Sequence, residues 1–453
     1  MLLGPLLQKL AENSPVTMMV YGVLERLLDK KKMDEWFNMN CQTQYTRHIL
    51  FSSLIFLMLN VVCRVRSSVH AAYRNSNNIG HSIVAVYDKL KGMENQTSAG
   101  IVGYISGEAE SLIREMGGTN APWLSGYKVK LLDGNCIEKT DHRLPVLRET
   151  KAGALPGKAL VVFEPETDLA VAVFPCEDAY TQERALLDQV LKTVEPNEVW
   201  IADRNFCVQD FLEGIHEKGA YFVIRQHKNM PYNSLHDEEF IGESETGSVF
   251  EQAVELRSSA GKTYTARRVI VRLKNLTRKG ESELTIFTNL PKEVANALKI
   301  SELYRGRWGI ETAFQRLEKH LHSEINTLGY PKAALFGFCM ALVAFNAYAI
   351  VMASVRAAYP KQDINNEISD YYIAEEIAST YAGVDKLVDD EEWDIFREGS
   401  TKEVGALLID LALKIDLWRF KKNKRGPKKP PKPKEKFVGK PHVSTARLLA
   451  AKG

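Results

Sequence analysis

The chain has 453 residues, of which 45% are hydrophobic, and its formal net charge is +2. This length and composition allow a large buried core and predict a globular protein of two to four domains. The six cysteines include no C-x-x-C pair. Their scatter argues against a disulfide framework or a structural zinc site and favours a reducing compartment.

Positive charge is concentrated near the C-terminus. Residues 421–436 hold eight lysines and one arginine against a single glutamate, so the remainder of the chain is net acidic. Such a run indicates either a polyanion-binding segment or a solvated end. Because its Pro/Lys content does not suit a packed element, we expect residues 421–453 to form a basic, disordered tail.

The first part of the chain, residues 1–120, alternates apolar stripes with charged breaks and predicts a helical domain. The apolar run 49–63 is shorter than a membrane span, which needs about 20 residues, so a buried helix is expected there. No secretory signal is expected from the N-terminal pattern. Scattered arginines in this region are candidate DNA contacts or simply solvated side chains: Arg47, Arg64, Arg66 and Arg74.

From about residue 121 the pattern becomes strand, strand, strand, helix, strand, helix, strand, which predicts a mixed sheet with helices packed against it. Residues 226–290 contain several short β-rich runs and are predicted to be an inserted β subdomain. Helical periodicity returns at 291–355 and includes an apolar core helix, and a helical C-terminal region is expected over 356–420. The fold class is therefore α/β with additional helical regions.

Two aspartates follow apolar strands. Asp133 ends KVKLL and precedes Gly134, a dipeptide that usually marks only a turn. Asp203 ends EVWIA and precedes Arg204 and a helix, where its ordinary role is a helix N-cap. In open α/β sheets, however, carboxylates at the ends of strands often form functional sites.

A third acidic residue lies in the segment YRGRWGIETAFQRLEKHLH. Tyr304, Arg307 and Glu311 are three and four residues apart and so share one face of a predicted helix. An ion pair on a solvated helix is the ordinary explanation for such an Arg–Glu pair. Together with the two aspartates, Glu311 could instead complete a set of hard oxygen ligands for two Mg²⁺ or Mn²⁺ ions, a site suited to phosphodiester chemistry.

With these residues in place, the sequence resembles the DDE transposases of bacterial insertion sequences, in the group named for insertion sequence four. The resemblance covers about 125–350 and rests on LLDGN, IADRNF, LTIFTNLP and the Tyr-x2-Arg-x3-Glu segment. It implies a ribonuclease-H-like catalytic domain, 121–225 and 291–355, interrupted by the β-rich insertion. It also implies a catalytic and metal-binding triad of Asp133, Asp203 and Glu311, with Tyr304, Arg307 and Arg204 as DNA contacts.

The sequence departs from that group's signature at one position. The signature lysine should fall at 318, where this chain has Glu318. Lys319 lies roughly 80° from the face of Glu311 on an ideal helix, and His322 returns to that face. Both are therefore candidate DNA contacts. The β-rich insertion has no tryptophan to stack on a flipped base; Tyr232, Tyr264 and Phe250 are open substitutes.

The resemblance implies an enzyme that binds terminal inverted repeats of double-stranded DNA, cuts them, and joins the ends to target DNA. It further implies a homodimer on DNA, a cytoplasmic, nucleoid-associated location and no membrane partner. A catalytically inactive DNA-binding descendant is the main alternative, motivated by Glu318. A host nuclease is a further alternative, which the β insertion and helical N-terminal region disfavour.

Overall fold

The structure is a computed structural model that describes most of residues 4–452. The residues not described within that range are 44–48, 77–78, 139, 142, 149, 151, 260, 278–279, 370, 377, 379–387 and 424–441. Arg47 and most of the lysine-rich segment therefore lie outside the described residues.

The described residues up to 115 form seven helices. They are α1 (Pro5–Asn13), α2 (Pro15–Leu27), α3 (Lys30–Asn40), α4 (Phe51–Val62), α5 (Val69–Arg74), α6 (Ile83–Lys91) and α7 (Asn95–Glu115). Several begin at a side chain that accepts a backbone N–H, as Asp29 does for α3 and Ser68 for α5, the ordinary way to satisfy a helix start. The apolar run predicted to be a buried helix forms α4, whose side chains are mostly buried.

The centre of the molecule is one ten-stranded mixed sheet, accompanied by a separate two-stranded pair. The strands are β1 (Lys128–Ile137), β2 (Ala154–Leu155), β3 (Gly157–Glu164), β4 (Leu169–Cys176), β5 (Glu198–Ala202), β6 (Tyr221–Arg225), β7 (Asn233–Ser234), β8 (Glu239–Glu243), β9 (Gly247–Arg257), β10 (Thr263–Leu273), β11 (Glu283–Thr288) and β12 (Val443–Ser444). The large sheet has the order β4-β3-β1-β5-β6-β11-β10-β9-β7, and β8 pairs with β9. A mixed α/β architecture is thus confirmed.

Strands β1, β5 and β6 are parallel, whereas β3 and β4 are antiparallel to their neighbours. Between them lie the short helices α8 (Pro145–Arg148), α9 (Leu187–Leu191) and α10 (Gln209–Glu217). The two faces of the sheet pack in separate cores. Leu131 and Ile201 face one core, and Leu132 and Trp200 face the other, as the two-residue period of a strand requires.

The region predicted to be an inserted β subdomain does contain strands, but they extend the main sheet. Strand β11 pairs with β6 through Ile286 and Arg225, and β10 and β9 follow beyond it. The β-rich segment therefore continues the hydrogen-bonded ladder of β1, β5 and β6 and contributes side chains to both cores of the sheet. The predicted domain boundaries themselves stay a prediction.

The remaining helices follow the sheet in sequence. They are α11 (Ala297–Gly306), α12 (Trp308–His320), α13 (Pro331–Ala358), α14 (Ile364–Glu367), α15 (Asp394–Arg397), α16 (Thr401–Leu413) and α17 (Thr445–Lys452). Helix α13 is long and apolar enough to cross a membrane by length and composition, yet 94% of its apolar window is buried inside the fold. It packs on α7, α2, α4, α16 and β4, so it is the predicted core helix.

The prediction of a disordered tail is wrong for its last described part. Val443 donates its backbone N–H to the Gly153 carbonyl at 3.0 Å, and β12 pairs with β2. Ser444 and Arg447 donate to the two oxygens of Asp178 at 2.7 and 2.8 Å. These contacts give residues 442–452 defined partners that the lysine-rich composition of the preceding residues does not reveal.

Candidate active site

The parallel strands bring Asp133 and Asp203 side by side. In the register of β1, β5 and β6, Leu132 lies opposite Ala202, and Ala202 lies opposite Ile224. The residues that come next are Asp133 in β1, Asp203 directly after β5, and Arg225 at the end of β6. Because side chains alternate along a strand, these three residues lie on the same face of the sheet as Leu131 and Ile201. Helices α11 and α12 pack against that face.

Asp133 does not lie in a turn, although the Asp-Gly dipeptide suggested one. Strand β1 continues to Ile137 because it pairs with β3 through Gly134 and Asn135. Asp133 is instead the first residue of β1 beyond the end of β5. Asp203 has the N-cap role that was its ordinary interpretation, since its Oδ1 accepts the Asn205 N–H at 2.7 Å.

Glu311 lies in the first turn of α12, on the side of the two aspartates. Asp133, Asp203 and Glu311 are called the acidic row below. The predicted single helix is two helices that meet at Arg307, whose φ of −49° and ψ of −34° remain helical. Tyr304 in α11, Arg307 at the junction and Glu311 in α12 therefore remain on one side, as the spacing predicts. The Glu311 side chain is 46% exposed, so it is accessible from solvent.

Arg307 joins the acidic residues. Its Nη1 lies 3.2 Å from Asp133 Oδ2 and its Nη2 lies 2.8 Å from Glu311 Oε1. The guanidinium is only 11% exposed. Burial lowers the pKa of Arg307, but Tyr304, Asp133 and Glu311 together raise it by more, so the net shift of this pKa is upward. Arg307 is thus a fixed positive charge between two carboxylates.

Burial raises the pKa of the Asp133 carboxyl to about 6, and the charges of Asp203 and Glu311 raise it as well. Arg307 and the Gly134 N–H, which donates to Asp133 Oδ1 at 2.9 Å, act in the opposite direction. Asp203 and Glu311 are therefore close enough to Asp133 to oppose its ionisation.

Tyr304 is a buried, neutral neighbour of the site. Burial raises its pKa to about 12, Arg307 and Arg225 lower it, and Asp203 raises it. A phenol with this pKa keeps its proton near neutral pH. Tyr304 therefore contributes a ring and a hydroxyl beside the carboxylates, without adding charge.

Two residues near the site were not identified from the sequence. Arg225 ends β6 in line with Asp203, and its only local signal is a basic residue after the apolar run YFVI. Arg225 and the predicted DNA contact Arg204 both bind Glu281, at 2.8 and 3.0 Å. Trp308, adjacent to Arg307, is 58% exposed, an unusual position for so large an apolar side chain.

The structure does not bring Lys319 and His322 to the acidic row. Lys319 lies in a cavity with Arg316 and Tyr371 on another side of α12. The expectation for His322 is wrong, because α12 ends at His320 and Leu321 is extended. The His322 backbone N–H donates to the Val62 carbonyl at 2.7 Å instead.

The candidate residues elsewhere have structural partners of their own. Arg64 donates to the carbonyls of Glu318 and Leu321 at the end of α12, an arrangement that satisfies helix C-terminal oxygens. In the β-rich segment, Tyr264 stacks on His216. Tyr232 and Phe250 lie beneath the guanidinium groups of Arg268 and Arg272, respectively.

The donor set suits a hard divalent cation, because it consists of carboxylate oxygens with no cysteine or histidine among them. A buried carboxylate beside two others also has an unfavourable negative charge that a cation would offset. Among the described residues, no group of three His, Cys, Asp or Glu side chains is already arranged around one ion position. In this structure, Arg307 supplies the positive charge.

Two comparisons with known proteins concern this same part of the chain. Residues 125–346 match the family model described as "Transposase DDE domain". A curated relative named "Putative transposase y4zB", from Sinorhizobium fredii, is 27% identical over 167 residues. That match covers 36% of this chain and 44% of the relative, so it spans less than half of either protein. Both matches are to transposase sequences, and the family model is that of the DDE domain.

Proposed function

We propose that the protein is a transposase of the group named for insertion sequence four and that Asp133, Asp203 and Glu311 form its catalytic site. One observation carries the proposal. Within the segment similar to a transposase DDE domain, two aspartates lie level on parallel strands, and Arg307 links one of them to Glu311. The catalytic fold is proposed to be ribonuclease-H-like, supported by the predicted strand and helix order, which the structure has.

The three carboxylates would hold two Mg²⁺ or Mn²⁺ ions. When bound, such ions lower the pKa of an attacking water or 3′-hydroxyl and offset charge on the leaving oxygen. Asp133 must give up its proton to act as a ligand, and its pKa of about 6 allows this near neutral pH.

Positive side chains around the carboxylates would bind the DNA backbone. Arg307 and Arg225 lie on the same side as the acidic row and carry guanidinium groups, which match phosphate geometry. Tyr304 supports Arg307 from within the core, and its ring centroid lies 6.0 Å from the Arg307 Cζ. Arg204 is expected to contact DNA only if its ion pair with Glu281 opens.

The broader activity follows as part of the same proposal. The protein would bind terminal inverted repeats, partly through its helical N-terminal region, cut them and join the freed ends to target DNA. It would act as a homodimer on DNA, in the cytoplasm at the nucleoid, and a hairpin intermediate is compatible with the chemistry. Besides Glu318, the catalytically inactive alternative has in its favour that Arg307 already pairs with both Asp133 and Glu311.

The test is cleavage of labelled DNA that carries the sequences flanking this gene, in Mg²⁺ or Mn²⁺. Native protein should cut at the element ends, and Asp133→Asn, Asp203→Asn and Glu311→Gln should each lose at least about 100-fold in rate. Glu217→Gln is the matched control, because Glu217 is an exposed carboxylate on α10 whose partner is Lys262. Its rate should equal that of the native protein.

The outcomes separate the alternatives. Specific binding of the ends without cutting in either metal would favour the inactive DNA-binding descendant. Cutting that survives all three substitutions would refute the assigned site. Cutting of any duplex, regardless of end sequence, would favour a host nuclease.

A further inference from the structure

A groove runs along α12 on a side that the proposed catalytic residues do not use. One part is a cavity of about 790 Å³ between α12 and C-terminal residues within 366–369, 371–372 and 422–423. A second cavity of about 690 Å³ shares Thr312 and Arg316 with the first. The two cavities therefore form a continuous groove beside the helix that carries Glu311.

The larger cavity is positively charged. Lys319 from α12 and Lys422 from the C-terminal stretch line it, and none of its described lining residues is acidic. Arg316 is offset by Asp168 at 3.2 Å, whereas neither lysine has a carboxylate partner among the ion pairs of the described residues. Lys422 Nζ donates to the Asn365 carbonyl, which positions the amine without neutralising it.

The same cavity contains a fixed, exposed aromatic ring. Tyr371 is 52% exposed and makes edge contacts with His320 and Tyr372, at ring-centroid distances of 5.9 and 5.6 Å. Tyr372 accepts a hydrogen bond from Asn423 Nδ2 at 2.8 Å. About half of this ring's surface is open to solvent inside a basic cavity, so it offers surface on which a base can stack.

We propose that this groove binds the DNA strand adjacent to the cleavage site, with Lys422 and Lys319 on its phosphates and Tyr371 stacked on an unpaired base. This inference rests on the proposed function. Lysines beside an aromatic platform are what a single strand needs, since charge follows the backbone and stacking tolerates any base. The C-terminal stretches thereby become part of the DNA-binding surface.

The helix sets the spacing between the two sites. Lys319 is eight residues after Glu311, which is about 12 Å along an α-helix. That distance corresponds to about three or four nucleotides at 3.4 Å per nucleotide. The nucleotides bound in the groove should therefore lie three to four positions from the phosphate that is cut.

The experiment measures the affinity of metal-free protein for labelled end DNA by fluorescence anisotropy over a series of salt concentrations. Two probes are compared, a blunt duplex and the same duplex with an unpaired overhang of about four nucleotides. Native protein is compared with Lys319→Gln/Lys422→Gln, with Tyr371→Ala, and with the control Lys192→Gln/Lys402→Gln. All four lysines are exposed, so every variant should fold.

If the groove binds DNA, each variant should lose a different part of the DNA affinity. The Lys319/Lys422 variant should bind more weakly and reduce the slope of log affinity against log salt by about 2, since each lysine contributes about 1. Tyr371→Ala should lose about tenfold in affinity for the overhang probe and little for the blunt duplex. The control pair should change neither the affinity nor the slope.

The DNA-binding role of the groove and the proposed catalytic function can fail separately. If native protein cuts the ends but the groove variants bind both probes as native protein does, the groove assignment is overturned and the proposed function stands. If native protein binds without cutting, while the groove variants bind more weakly, the groove is supported and the catalytic function fails. Equal losses in the control pair would also overturn the groove, because the effect would then be one of net charge alone.

Discussion

The Asp133 carboxyl is the group whose protonation should control metal binding. Its pKa of about 6 means that it is mostly protonated below that pH, and a ligand oxygen must be free of its proton. Mn²⁺ affinity should therefore fall about tenfold per pH unit below pH 6 and level off above it. Calorimetric titration from pH 5 to pH 8 measures this, and an affinity that does not change across pH 6 would contradict the pKa.

The same pKa predicts a stability effect without metal. The folded-state value of about 6 lies above the unfolded value of about 4, so the folded state binds the proton more tightly. Stability should decrease as pH rises from about 4 to about 6, and the cost should persist above that range. Asp133→Asn should therefore raise the free energy of unfolding at pH 8 by about 1–3 kcal/mol.

Urea denaturation in the presence of a chelator measures that change. At pH 4, where the native carboxyl is protonated, the substitution should have little effect, which provides an internal control. Greater stability at pH 8 together with lost cleavage would show that Asp133 is retained for function at a cost in stability.

Arg307 should compete with metal for two carboxylates. Because its guanidinium contacts both Asp133 and Glu311, Arg307→Gln removes the cation that an incoming ion would have to displace. The variant should bind Mn²⁺ more tightly than native protein, yet cut DNA more slowly because a phosphate contact is lost. Arg307→Lys is the control, since it keeps the charge without the two-pronged geometry, and should be intermediate in metal affinity.

Individual elements show what the sequence could and could not predict. Strand and helix order between 121 and 225 follows from local periodicity, and so does the shared face of Tyr304, Arg307 and Glu311. The length of β1 does not follow, because β1 continues past Asp133 only through pairing with β3. A dipeptide carries no information about its partner strand, so the Asp-Gly turn was a reasonable but wrong expectation.

Long-range pairing explains the other differences. The pairing of β11 with β6 joins the β-rich segment to the main sheet, and neither strand's sequence specifies the other. Similarly, α12 ends at His320 where Arg64 binds its last carbonyls, and these residues are far apart in sequence. Arg225 was missed for the same reason, since only the register places it beside Asp203.

The junction of α11 and α12 provides a prediction at the level of the element. A Cβ on Gly306 would lie 2.5 Å from the Trp123 ring, whereas one on Gly309 would meet its neighbours at 3.6 Å or more. Gly306→Ala should therefore displace the helix junction, destabilise the protein by about 1–3 kcal/mol and slow cleavage by moving Arg307.

Gly309→Ala is the matched control for that substitution. It adds the same methyl group within α12 without a close contact, and replacing glycine in a helix should stabilise the protein by about 0.5–1 kcal/mol. Thermal unfolding and the cleavage rate are measured for both variants. Similar losses in both would show that the contact with Trp123 does not position the junction.

At the scale of the whole molecule, α13 and α7 cover the open edge of the sheet. Strand β4 is the edge strand, and exposed edge groups would need other partners. Asn346 in α13 accepts the Ala170 N–H and donates to the Ala170 carbonyl, both at 2.9 Å. Ser106 in α7 donates to the Val171 carbonyl at 3.3 Å. The helices thus provide partners for three backbone groups of β4 at this edge, the N–H and carbonyl of Ala170 and the carbonyl of Val171.

Replacing Asn346 tests whether this edge holds the helical and sheet parts together. Asn346→Leu preserves volume but leaves two buried backbone groups of Ala170 without partners, at about 1–3 kcal/mol each. We expect unfolding to be easier by about 2–5 kcal/mol and amide exchange in β4 to accelerate. Ser354→Ala is the control, because that buried α13 hydroxyl donates to the Ile350 carbonyl at 2.8 Å and to Met116 Sδ at 3.5 Å, so its loss leaves no β4 group without a partner. A small effect for Asn346→Leu would mean that apolar contacts of α13, rather than this amide, secure the edge.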